Sequence, residues 1–157
     1  MRSKTSPVLI VAALIVACVA VFSGVTTHEF VSLDDDVYVT ENPMVKAGFD
    51  WNGLRWAATT FHQANWHPLT WLSHMIDVQL YGLNAGRHLL GNVGLHAVAS
   101  ILLFLALFSM TGRRWCSAIV AALFAVHPLH VESVAWVAER KDVLCGFFFM
   151  LTLWLYA

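Results

Sequence analysis

Three carboxylates stand in consecutive positions, at Asp34, Asp35 and Asp36, between the aromatic residues Phe30 and Tyr38. Adjacent carboxylates repel one another, so at least one of them is expected to hold its proton more tightly or to recruit a cation. Such a group could serve as a general base toward a hydroxyl, with its neighbour tuning it or holding a divalent ion. A solvated acidic loop end, or a helix N-terminus where acids are favourable, would carry the same string. The position just after an apolar run favours function, because polar groups at membrane depth tend to be functional.

A basic cluster, Arg140-Lys141-Asp142, lies far along the chain. A guanidinium beside an ammonium can clamp a phosphate, or the same side chains can snorkel at the mouth of a span. Close before it stand His127, His130 and Glu132. Their order is no zincin motif and Pro128 interrupts it, so they read as polar residues at the outer membrane surface. No metal site is assigned; if a divalent ion is used, Asp34 and Asp35 are the carboxylates to hold it. His88, Asn92 and His96 recur at helical spacing and share one face. They would line a polar cavity or hydrogen-bond one helix to another. His67, Trp71 and His74 share a face as well, with Asp77 three residues beyond His74; the pair could orient an imidazole, or the helix could lie at the interface with polar tips.

The elements that must position these groups are mostly apolar. Of 157 residues, 59% are apolar and 12% charged, which points to a membrane protein. Net charge is −1 and there is no basic run, so nucleic acid is not an expected partner. The three cysteines, Cys18, Cys116 and Cys145, lack ligand spacing and read as small buried apolar residues. The expected fold is all-α, a polytopic membrane helical bundle with interfacial helices in its first outer loop. Residues 1–6 form the cytoplasmic N-terminus and 7–25 the first span, uncleaved rather than a signal peptide. Residues 26–87 form an outer loop with four tryptophans, a short amphipathic helix over 49–60 anchored by Phe49, Leu54 and Trp56, and a helix over 68–81 started by Pro68. Residues 88–110 are the second span, 111–114 a cytoplasmic turn, 115–127 the third span, 128–142 an outer loop and 143–157 an incomplete fourth span. Arg2, Lys4, Arg113 and Arg114 have no acid near them, so those ends belong in the cytoplasm. Both chemically interesting loops then face the opposite side. The chain ends inside an apolar run and is expected to be the N-terminal part of something longer.

No Walker loop, nucleophile elbow or dinucleotide fingerprint is present. Acid and base clusters on one membrane face fit transfer from a lipid-phosphate-linked donor, with a carboxylate deprotonating an acceptor hydroxyl and the cations stabilising the departing phosphate. A membrane anchor without catalysis, or a transporter with a polar path, are the competing classes.

The ordered series Leu33-Asp34-Asp35-Asp36-Val37-Tyr38, Asn42-Pro43, His67-Pro68-Leu69-Thr70, Tyr81-Gly82-Leu83-Asn84, His127-Pro128-Leu129-His130-Val131-Glu132 and Arg140-Lys141-Asp142 resembles the N-terminal membrane region of the transmembrane and tetratricopeptide-repeat proteins, in their bacterial form. That region is similar to the GT-C class of polyprenyl-phosphate-sugar-dependent glycosyltransferases. The resemblance implies a catalytic acid at Asp34 or Asp35. It implies substrate-binding positions at Arg140, Lys141, Asp142, His127, His130, Glu132, His88 and His96. It further implies a polyprenyl-phosphate sugar donor drawn from the membrane, a protein acceptor, mannose as the sugar of the animal relatives, and an inner-membrane location with the active face extracytoplasmic. The animal relatives tend to show Arg-Ala-Asp where this chain has Arg140-Lys141-Asp142, so Lys141 is carried over less firmly than its neighbours. The alternative implied by the same resemblance is a non-catalytic scaffold for a C-terminal repeat domain.

Overall fold

The computed structural model describes residues 6–157 and is entirely helical apart from turns and loops. Arg2 and Lys4, on which part of the expected orientation rests, lie outside the described residues. Helix α1 (Pro7–Val21) is followed by a 3-10 turn at Ser23–Thr27. The first loop carries a π-type turn at Asp36–Thr40, then α2 (Pro43–Lys46), α3 (Trp51–Thr59) and α4 (Pro68–Tyr81). Helices α5 (Ala85–Thr111), α6 (Arg114–Ala125), α7 (His130–Ala135) and α8 (Arg140–Tyr156) complete it.

Local chemistry sets the helix starts. Pro43 and Pro68 occupy first-turn positions, where a missing N–H removes no helical bond. Asn42, Asp50 and Asn84 accept first-turn N–H groups, the Asp50 carboxylate that of Gly53 at 2.6 Å. The turn from α4 to α5 needs Gly82, whose φ of +61° disfavours any residue with a Cβ.

Helix α5 is the axis of the fold, and α1, α4, α6, α7 and α8 all pack on it. Its first half meets the loop elements in one core, where Tyr38, Val39, Trp71, Met75, Leu89, Val134 and Val137 bury against each other. Its second half meets α1 and α6 in another, built from Ile10, Leu14, Cys18, Ala97, Phe104, Ala118, Ala121 and Ala125. The alanines let the helices approach closely, and the buried His96 of α5 hydrogen-bonds the Ala125 carbonyl at the end of α6 at 3.0 Å.

Among the described residues, α5 is the one helix long and apolar enough to cross a membrane; at about 1.5 Å per residue it is roughly 40 Å long. Helices α1 and α6 are apolar but shorter. The all-α expectation therefore holds, while the polytopic arrangement is not shown by helix length. Three local expectations are corrected. The amphipathic helix buries Gly53 and Ala57 rather than Phe49, which is exposed before the helix begins. Of the cysteines only Cys18 is buried; Cys116 and Cys145 are exposed. The basic cluster does not precede the last helix: Arg140 starts α8.

Candidate functional site

The acidic triplet is split by its surroundings. Asp35 is buried, and both of its oxygens accept backbone N–H groups, from Val31 at 2.9 Å and from Ala138 at 2.8 Å. Burial raises its carboxyl above the ordinary carboxylate range, and the two N–H donors oppose that rise. Asp36 accepts the N–H of Val37 at 2.8 Å. The Asp34 carboxylate is half-buried and makes no hydrogen bond among the described residues. It is the unengaged acid of the three.

The basic cluster is split in the same way. Arg140 points inward and is almost wholly buried. One of its terminal nitrogens donates to the Asp77 carboxylate and to the His88 carbonyl, each at 2.6 Å, and its Nε donates to the Asn92 side-chain oxygen. Asn92 in turn donates to the carbonyls of Val134 (3.2 Å) and Trp136 (3.0 Å). This network ties α4, α5 and the α7–α8 connection together through two of the three guanidinium nitrogens, Nε and one terminal nitrogen. The expected joint clamp of Arg140 and Lys141 is thus divided. Lys141 stays near the surface, pairs with Glu139 at 2.7 Å and lies over the Tyr38 ring at 5.6 Å from its centroid.

Tyr38 is the meeting point of the two clusters. Its ring stacks on Trp71 at 4.9 Å and tilts against His67 at 5.6 Å. Burial raises the phenol, and Lys141 draws it back down, while Asp34 and Glu139 push in the same direction as burial. Asp34 and Lys141 therefore act on one side chain although they are more than a hundred residues apart in sequence. His67 is held below the ordinary imidazole range by burial, with the charges of Lys141 and His62 adding to it.

The remaining expected site residues fall into two places. His96 and His130 approach each other, with ring centroids 5.1 Å apart and Phe124 against both. With Ser133, Asp142 and Gly146 they line a cavity of about 130 Å³. His127 and Glu132 are exposed, and the His127 ring accepts the N–H of Leu129 at 3.3 Å. His88 lies apart from these, on the Arg140 side of α5, where its Nε2 hydrogen-bonds the Gly82 carbonyl at 2.9 Å. So His88, Asn92 and His96 share one buried helix face, but they serve different neighbourhoods.

The salt bridge between Arg140 and Asp77 was not foreseen. Its signal was the one acid of α4, on the same face as Trp71 and His74, a charge that must find a cation if buried. His74, one turn before Asp77, is completely buried and strongly held neutral by that burial.

Among curated proteins, the chain is 35% identical to the human protein O-mannosyl-transferase TMTC4 over 90% of its own length. It is 33% identical to mouse protein O-mannosyl-transferase TMTC1 over 74% of its length, and 36% identical to Drosophila melanogaster protein O-mannosyl-transferase Tmtc2 over 56%. It spans 22%, 14% and 10% of those three proteins. No family model and no solved structure matches the chain. The similarity is to protein O-mannosyltransferases, and it is confined to a small part of each.

Proposed function

We propose that this chain forms part of a membrane glycosyltransferase. It would transfer a sugar, mannose by analogy with its named relatives, from a polyprenyl-phosphate donor to a hydroxyl on a protein acceptor. The observation that carries the reading is the difference between Asp34 and Asp35. One carboxylate, that of Asp35, is fully engaged in holding the fold, while that of Asp34 accepts no hydrogen bond and acts, as Lys141 does, on the Tyr38 phenol. In the reaction, Asp34 takes the proton of the acceptor hydroxyl as its oxygen attacks the anomeric carbon. The bond from that carbon to the phosphate oxygen breaks, the electron pair leaves with the lipid phosphate, and Lys141 offsets the charge that develops. Asp35 positions Asp34 by anchoring the loop to Ala138, and Arg140 positions the α8 start that carries Lys141.

In this reading α1, α5, α6 and α8 are the spans, with Arg113 and Arg114 on the cytoplasmic side and the acidic loop opposite. The apolar side chains that α1, α6 and α8 turn outward, among them Val16, Ile119, Leu123 and Phe149, support it. The test is reconstitution of the full-length protein with a labelled polyprenyl-phosphate mannose and a secreted-protein acceptor. Transfer by the wild type that falls at least a hundredfold in Asp34→Asn, in line with loss of a general base, supports the proposal. Activity that survives in Asp34→Asn removes Asp34 as the base.

A further inference from the structure

Three ligand-type side chains converge in the interior where α4 meets α5, away from Asp34. His74 and Asp77 sit one turn apart on α4 and so share a face, and His88 approaches from the first turn of α5. One ligand atom from each lies within 4.8 Å of the other two. All three residues are buried.

What makes the cluster unusual is that its hydrogen-bonding does not close. The Nε2–H of a neutral His88 is used by the Gly82 carbonyl at 2.9 Å, so its Nδ1 carries a lone pair. That lone pair faces the Asp77 carboxylate at 4.0 Å, too far for a hydrogen bond. Both ring nitrogens of His74 are buried without a partner. Buried polar atoms are almost always satisfied in native proteins, yet both nitrogens of His74 and Nδ1 of His88 are left without a partner beside a carboxylate.

We propose that His74, Asp77 and His88 form a binding site for a divalent transition-metal ion of the zinc, manganese or cobalt class. Two imidazoles and one carboxylate suit such ions and do not suit magnesium or calcium, which prefer all-oxygen shells. Ligand bonds of about 2.0–2.1 Å in a tetrahedral site put donor atoms roughly 3.3 Å apart, so side-chain adjustments of an ångström or so close the site. The Gly82 carbonyl behind His88 is the outer partner that metal-bound histidines ordinarily have. Arg140 already holds the Asp77 Oδ2 atom that faces His88, so the ion would share that carboxylate with the guanidinium. That guanidinium is shared among Asp77, Asn92 and the His88 carbonyl, and a carboxylate can bridge a metal and a guanidinium. Asp77 also borders a cavity of about 200 Å³ with Tyr81, Arg87, Leu90 and Gly91. The ion would pin α4 to α5. The proposal does not rest on the transferase reading, which gives the proton transfer and the leaving-group charge to Asp34 and Lys141.

The test uses full-length protein purified in detergent, stripped with a chelator and titrated with Co²⁺ and Zn²⁺. The wild type is expected to hold about one ion per chain and to show the visible absorption of cobalt in a low-symmetry nitrogen–oxygen site. His74→Ala and Asp77→Asn should lose it, and His96→Gln, a buried histidine outside the cluster, should keep it. No binding by the wild type, or equal binding by His74→Ala, overturns the proposal. If the ligand variants do not fold, X-ray absorption on zinc-loaded wild type decides. A shell of nitrogen and oxygen with two imidazoles agrees; a shell containing sulfur from Cys18, Cys116 or Cys145, or fewer than two imidazoles, refutes it.

Discussion

The guanidinium of Arg140 meets the carboxylate of Asp77 at 2.6 Å across 63 residues of sequence, and both groups are buried. A buried ion pair is weak evidence for net stabilisation, because each charge has lost its water. Removing one partner is another matter. Arg140→Ala should destabilise the protein by about 3–5 kcal/mol, since it strands Asp77 and leaves Asn92 short of a donor. Arg140→Met with Asp77→Leu should recover much of that loss. Thermal unfolding of the single and double variants, read as a double-mutant cycle, checks it.

Asp34 and Asp35 should separate in stability. Asp35→Asn keeps one acceptor but turns an amide N–H₂ toward a backbone N–H, so a loss of about 1.5–3 kcal/mol is expected. Asp34→Asn touches no hydrogen bond and should stay within about 0.5 kcal/mol of the wild type. Chemical or thermal unfolding of the two variants side by side measures the difference.

Helix α5 begins against the chain that leaves α1. A Cβ at Gly86 would stand 2.3 Å from the Thr26 carbonyl oxygen, which is backbone and cannot swing away. Gly86→Ala should therefore lower stability by about 1–3 kcal/mol, whereas Gly94→Ala, with open space around it, should be neutral or slightly stabilising through helix propensity. A melting comparison of the two alanine variants is the measurement.

Acidification should loosen the loop around Tyr38. His67 faces Lys141 and His62 and packs on Tyr38 and Trp71, and its folded pKa lies below the unfolded value of about 6.5. Below that pH the unfolded chain binds the proton more readily than the folded one, so stability present above about pH 6.5 is lost as pH falls toward the folded value. His67→Phe keeps a ring in place without a titrating nitrogen. Its unfolding midpoint should fall less between pH 7 and pH 5 than that of the wild type; His130 is shifted the same way and adds to the remaining slope, while the raised Asp35 opposes it.

Much of this arrangement was readable from local chemistry. Pro68 set the start of α4, Gly82 its end, and the spacing of His88, Asn92 and His96 gave a buried face of α5. Those signals act within one or two turns of chain. The division of Asp34 from Asp35, and of Arg140 from Lys141, was not readable, because neighbours in sequence differ only by which way a turn or helix start points them. That direction is set by Ala138 for the acids and by Asp77 for the arginine, both distant in sequence. Helix ends were harder to place than the helices themselves. Helix α1 gives way to a 3-10 turn at Ser23–Thr27, inside the stretch expected to continue as one span to Val25.

The measurement that bears most directly on the proposed function is sugar transfer by full-length Asp34→Asn and Asp35→Asn, each assayed beside its own unfolding curve. The account predicts that Asp34→Asn keeps wild-type stability and loses transfer. Asp35→Asn should lose stability, and any activity deficit should track the fraction folded. Transfer retained by a stable Asp34→Asn, or abolished in a fully folded Asp35→Asn, would contradict the assignment of base and anchor.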